Sequence, residues 1–152
     1  MIEGYGSIYK LPDAAVQPPK NLEYNIIFSI SKQAKKEGDP NPGLVHIART
    51  INLYEWAEVP KENLHLVGIV HGEATSIVLN HQAFQDKFHR ENPDLDLIYK
   101  LTQAGVELYI CGQSLLGQGY ERTQLEPHVD FALSALSVLP VYQLKGYAVL
   151  DY

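Results

Sequence analysis

Three runs of β-type residues, Tyr24–Ile30, Leu64–Val70 and Val106–Ile110, divide this chain into segments long enough to hold a helix between each pair of strands. Each run is apolar along most of its length, the pattern of a strand covered on both faces rather than on one. Between the first two, Leu44, Ile47, Ala48, Ile51 and Tyr54 repeat at the three-and-four spacing of an amphipathic helix bounded by Pro60. Between the second and third, the sequence predicts a short helical piece from Thr75 to Leu79 and a helix from His81 to Phe88 capped by Asn80. A further helix opens on Asn92 as N-cap and Pro93, buries Leu97, Ile98, Leu101 and Ala104, and stops at Gly105. The remainder reads as a strand over Val129–Leu133, an apolar helix from Ser134 to Lys145 interrupted by Pro140, and a last strand over Tyr147–Leu150. Strands alternating with helices predict an α/β fold, with right-handed crossovers and a mainly parallel sheet covered on both faces.

Residues 1–23 break the alternation. Gly4, Gly6, Pro12, Pro18 and Pro19 make them an extended arm that wraps its own domain or a neighbour, with Tyr5 and Tyr9 available for burial. Residues 24–152 then form one domain, a size that buries a core without disulfides. The single cysteine forms no internal disulfide, which fits a reducing compartment. A formal charge of −6 argues against binding to a nucleic-acid backbone, which needs a basic surface. No apolar run is long enough to span a membrane, and the first residues lack a secretory pattern. The expected location is the cytoplasm, or the periplasm if a signal peptide has been removed.

The chemistry concentrates at two strand ends. The second strand runs into His71-Gly72 and the third into Cys111-Gly112, and in an open α/β sheet ligands bind beyond the carboxyl ends of the strands. A thiolate at Cys111 would lie near a helix start, where the dipole and unpaired N–H groups favour the anion. If the two strands are neighbours, His71 lies within reach to take the thiol proton or stabilise the anion. The plainer readings stay open: Cys111 as a core-filling thiol, and His71 as a group bonded to a nearby loop. Gly72 and Gly112 either expose backbone N–H groups to an anion or serve turn and cap geometry. Ser134 is either part of the pocket or a helix N-cap.

Other chemistries lack their motifs. His46, His65, His71, His81, His89 and His128 show no zinc-ligand spacing among themselves or with Cys111, and no metal or cofactor is expected. Phosphate-cradling glycine loops and the Gly-x-Ser-x-Gly elbow are absent.

The segments Asn41-Pro42-Gly43-Leu44, Val70-His71-Gly72-Glu73-Ala74-Thr75, Asn92-Pro93-Asp94-Leu95, Gly105 to Gln113, and Ala132 to Leu136 with Gly146-Tyr147 together resemble the DsrE/DsrF-like family, in particular an uncharacterised branch related to sulfur-relay proteins. The resemblance covers about residues 24–150. It implies a three-layer α/β/α domain around a five-stranded parallel sheet, assembled as a homotrimer or homohexamer. It also implies that Cys111 accepts sulfane sulfur as a persulfide and passes it to a partner. Beside Cys111 and His71, the expected binding residues are Gly72, Thr75, Gly112, Gln113 and Asn41. The backbone N–H groups of Gly112 and Gln113 are expected to hold the anionic sulfur. With one cysteine in the chain, the sulfur donor and acceptor must be other proteins or small thiols. Two readings follow: a sulfur carrier or sulfurtransferase, and an oligomeric ligand-binding or interaction module without turnover. A cysteine-dependent hydrolase would need a third residue to orient His71, for which the sequence offers no distinct candidate.

Overall fold

A computed structural model describes residues 1–152. Five strands, β1 (Tyr24–Ile30), β2 (Leu64–Val70), β3 (Glu107–Cys111), β4 (Asp130–Ala132) and β5 (Ala148–Asp151), form one sheet in the order β4-β3-β2-β1-β5. Every neighbouring pair is parallel. The chain steps in one direction from β1 to β4 and then returns past β1 to add β5 at the far edge. Because right-handed crossovers taken in opposite directions land on opposite faces, the last helix lies across the sheet from the earlier ones. α1 (Pro42–Trp56), α2 (His81–Phe88) and α3 (Leu95–Gln103) belong to the first face; α4 (Gly112–Gly117) follows β3, and α5 (Ala135–Leu144) covers the second face.

The strand residues sort cleanly by parity. Ile26, Phe28, Ile30, Leu66, Val70, Leu108 and Ile110 pack with Leu44 and Ile47 of α1 and Leu97, Ile98 and Leu101 of α3 in a large core. Ile27, Val67, Ile69 and Cys111 face the other way, in a small cluster closed by Ala135 and flanked by Val138, Leu139 and Tyr142 of α5. Each fully buried aliphatic side chain contributes about 1.5–3 kcal/mol, so most of the apolar stabilisation resides on the first face.

Local sequence explains most element ends. Asn41 caps α1 by accepting the Gly43 N–H, with Pro42 in the first turn. Asn80 caps α2 through the Ala83 N–H, and Ser134 caps α5 through the Leu136 N–H. The expected helix around Thr75–Leu79 is a 3₁₀ turn over Gly72–Val78. α3 begins at Leu95, after the expected Asn92–Pro93 start. Asn92 accepts the Asp94 N–H and also donates to the Ile77 and Leu79 carbonyls, so its amide joins two loops as well as leading into the helix. β3 and β5 each extend one residue past the expected end, to Cys111 and Asp151.

Residues 1–23 hold no helix or strand. The start of this arm lies on its own chain: Ile2 is buried, Asn52 of α1 bonds the backbone of Ile2, Tyr5 and Gly6, and the Tyr5 hydroxyl donates to Asp96 of α3 at 2.9 Å.

Candidate functional site

Register brings the two strand ends together. Val70 pairs with Ile110 across β2 and β3, so one step on the backbones of His71 and Cys111 are neighbours, while the His71 ring bonds Ser29 on β1 and the Cys111 sulfur bonds Ser134. His71 is still extended, with φ −159° and ψ 179°, which keeps its side chain on the face shared by Ile69 and Cys111. Both groups therefore sit on the α5 side of the sheet, at its carboxyl edge.

The sulfur is surrounded by donors. Cys111 is 4% exposed, and its Sγ lies 3.8 Å from Ser134 Oγ. Burial pushes the thiol pKa up, but the hydroxyl and backbone N–H of Ser114, the Ala135 N–H and the Ser134 hydroxyl together outweigh it, and the thiol is held below its ordinary value. The polarity of the two hydroxyls is set by the backbone. Ser114 Oγ accepts the Gly72 N–H at 3.2 Å and Ser134 Oγ accepts the Leu136 N–H at 3.1 Å. As a thiol, Cys111 donates to Ser134 Oγ; once the sulfur is ionised, each hydroxyl keeps a proton to turn toward it. The arrangement favours an anion on Cys111, from the first turn of α4 on one side and that of α5 on the other.

The remaining expected residues take distinct places. Gly72 has φ +57°, a left-handed conformation glycine adopts without strain, and its carbonyl accepts from Thr75 Oγ1 at 2.7 Å and Gln118 Nε2 at 2.9 Å. Thr75 is fully buried and braces this turn. Gly112 is where β3 and β4 crowd together: a Cβ there would meet the Ala132 carbonyl oxygen at 2.6 Å and the Phe131 ring at 2.7 Å. Gln113 is exposed, its side chain 3.4 Å from the Leu133 carbonyl. The amides that reach the sulfur are those of Ser114 and Ala135; Gly112 and Gln113 frame the site. Asn41 has no free group facing Cys111. Its Oδ1 caps α1, its Nδ2 donates to the Lys32 carbonyl, and its backbone N–H donates to Asp94 at 2.6 Å. No group of three or more His, Cys, Asp or Glu side chains is arranged to hold a metal ion.

Three residues join the site that the sequence reading did not name. Ser114 is one; it lies in the first turn of α4, the helix start that the sequence already places after Cys111, and that spacing was the available signal. Ser29 is another: buried near the end of β1, its Oγ lies 2.8 Å from His71 Nε2. The third is Asp151, the register partner of Ser29 across β1 and β5. Burial lowers the His71 pKa and the Asp151 carboxylate opposes that shift, leaving the imidazole below its ordinary value and neutral at pH 7. A polar residue inside the apolar run Ile26-Ile27-Phe28-Ser29-Ile30 was the available signal for Ser29.

The DsrE/DsrF-like family model matches residues 23–152. No curated protein matches the chain in sequence. Among solved structures, the protein of unknown function MTH1491 from Methanobacterium thermoautotrophicum superposes with a TM-score of 0.63 at 19% identity, covering 86% of this chain and 100% of that one. The ychN protein from E. coli superposes with a TM-score of 0.61 at 18% identity, covering 85% of this chain and 99% of the other. These likenesses carry the fold, a five-stranded parallel sheet within an α/β architecture. The family match extends over most of the chain: it belongs to the DsrE/DsrF-like family.

Proposed function

We propose that this DsrE/DsrF-like protein is a sulfur carrier in which Cys111 holds a persulfide. The observation that carries this reading is the ring of donors from Ser114, Ser134 and Ala135 around Cys111 Sγ, which suits a thiolate and the persulfide anion that replaces it. The thiolate attacks the outer sulfur of a donor persulfide. A new S–S bond forms at Cys111 as the donor's S–S bond breaks and its thiolate leaves. An external thiolate then attacks the outer sulfur on Cys111, takes it, and returns Cys111 to the thiolate. No net oxidation occurs, and no second cysteine of this chain takes part.

Intact mass after incubation with a sulfane-sulfur donor tests the reading. Wild type is expected to gain sulfur reversibly on thiol treatment, and Cys111→Ser to gain none. Absence of any gain on wild type sinks the carrier.

The second reading is a ligand-binding module without turnover. It is favoured by the low exposure of Cys111 and by a cleft of about 510 Å³ that shares Glu73 and Ser76 of the Gly72–Val78 turn and is completed by Arg90 and Asp94. That reading expects ligand binding to survive Cys111→Ser. Both readings place the protein in a homo-oligomer, as a trimer or hexamer. Support comes from the outer side of α5, where Leu136 is 87% and Leu144 89% exposed beside the exposed strand β5; apolar surface of this kind is usually covered by a partner. Light scattering across dilutions tests it, and a monomer throughout would exclude it. No helix is long and apolar enough to cross a membrane. The cytoplasm is the proposed location, or the periplasm if a signal peptide is removed.

A further inference from the structure

The cleft of about 510 Å³ lies at the carboxyl edge of the sheet, enclosed by residues 33–39 after β1, the Gly72–Val78 turn after β2 and the start of α3. Its apolar members Ile77, Phe84 and Phe88 belong to the first-face core, whereas Cys111 belongs to the second. Arg90 is the unusual member. Its guanidinium lies over the Phe84 and Phe88 rings, 5.1 and 5.9 Å from their centroids. Yet Nε and Nη1 are buried with no hydrogen-bond partner in the protein, although a guanidinium carries five donors in a planar fork. The carboxylate nearest to it is that of Glu37. Its Oε1 lies 2.8 Å from Nε but out of line for a hydrogen bond, on a side chain that is 77% exposed. Glu37 belongs to a segment without helix or strand, within which one backbone hydrogen bond forms, from the Asp39 N–H to the Lys36 carbonyl.

We infer that the cleft takes a small organic monocarboxylate, whose carboxylate bonds the Arg90 fork in the place that Glu37 covers. A carboxylate matches the fork because its two oxygens accept two parallel N–H bonds. Glu37 makes the charge contact without those bonds, so a ligand free to align gains what the tethered side chain does not. The surrounding charges select a single negative charge. Lys35 and Lys36 line the cleft and add to the attraction for an anion. Asp39, Glu73 and Asp94 line it too, and they repel a dianion such as inorganic phosphate more than a monoanion. Ile77, Phe88 and Pro93 offer an apolar wall to the rest of the molecule, and the volume is that of a small-molecule site. Glu37 is then a displaceable stand-in, a surface contact that the ligand breaks on entering. This inference deepens the ligand-binding reading and rests on its cleft; it takes nothing from the chemistry of Cys111.

Amide ¹H–¹⁵N spectra of the full-length protein titrated with sodium benzoate test it, with benzamide and inorganic phosphate as comparison probes. Benzoate is expected to shift the signals of residues 33–39, Ser76 and Arg90 saturably, and to bind more tightly than either comparison probe. Arg90→Gln is expected to weaken benzoate by at least about tenfold, the loss of hydrogen bonds to a charged group. Glu37→Gln is expected to strengthen it about two- to fivefold, because an exposed ion pair no longer competes. Since Glu37 is a surface side chain, its variant decides even if Arg90→Gln folds poorly. Unchanged or weaker binding in Glu37→Gln, or benzoate shifts that persist in Arg90→Gln, overturns the inference. Saturable cleft shifts with benzamide or phosphate but not benzoate overturn the carboxylate and leave the ligand-binding reading standing. No shift with any of the three probes sinks both.

Discussion

The two faces of the sheet are built to different standards. On the first, α1 and α3 cover strand residues that are almost wholly buried, and the layer between them is apolar from edge to edge. On the second, a single helix covers a cluster of five buried residues, and the same face carries Cys111, His71 and Ser29 at its carboxyl end and hydrogen-bonded tyrosines toward the other. Tyr109 and Tyr142 share Glu107 there, at 2.8 and 3.3 Å. The lesson is a division of labour within one sheet: the first face supplies stability, and the thinner second face has room for polar side chains whose bonds are completed by neighbouring strands.

Phe28→Ala puts that contrast under the greatest strain. Phe28 is fully buried on the first face, and its truncation is expected to cost about 3–5 kcal/mol in denaturant unfolding. A loss below about 1 kcal/mol would mean the first face is not the stabilising one.

Asp94 is a buried carboxylate on the well-packed side. It is 3% exposed at the start of α3; burial raises its carboxyl to about 6, against the opposing pull of the Asn41 N–H and the Arg90 charge. From about pH 4 to 6 the folded chain keeps a proton that the unfolded chain has released, so stability falls as pH rises. The full penalty, about 3 kcal/mol, is present above pH 6. Urea unfolding across this range is expected to show the decline in wild type and a flattened profile in Asp94→Asn. An unchanged slope in the variant would assign the pH dependence elsewhere.

Ser134→Ala probes the second face. Loss of the α5 cap is expected to cost about 1 kcal/mol, and loss of the hydroxyl beside Cys111 to raise the thiol pKa, read as an upward shift in the pH midpoint of alkylation. A fall in stability with no shift in that midpoint would reduce Ser134 to a cap.

The smallest effect on folding is expected on the exposed side of α5. Leu136→Ser changes an exposed side chain and is expected to alter monomer stability by less than about 0.5 kcal/mol, while lowering the oligomeric mass seen by light scattering. Unchanged mass would remove this position from the assembly surface.

Much of this architecture was legible in local sequence. Tyr24–Ile30 and Leu64–Val70 are strands at the expected residues, because β-branched and aromatic side chains in unbroken apolar runs suit a strand covered on both faces. Asn80 and Ser134 are caps because a short polar side chain before an apolar helix has an N–H to bond. The start of α3 was less legible: Asn92 serves carbonyls at Ile77 and Leu79 that are distant in sequence. The adjacency of the strand ends carrying His71 and Cys111 was readable only as a condition, that β2 and β3 be neighbours, and strand order meets that condition; the partner of the His71 ring is Ser29.

The sequence by itself determined the alternation of elements, the parallel sheet it entails, and the placement of a histidine and a cysteine at strand ends, since these depend on periodicity and on residues close along the chain. Tertiary structure alone decided which groups surround them. β5 returns to the far side of β1 and brings Asp151 beside Ser29; the start of α5 brings Ser134 and Ala135 onto the Cys111 sulfur; Ser29 meets a ring forty-two residues away. Such contacts depend on strand order and register, which are set by the packing of the whole sheet.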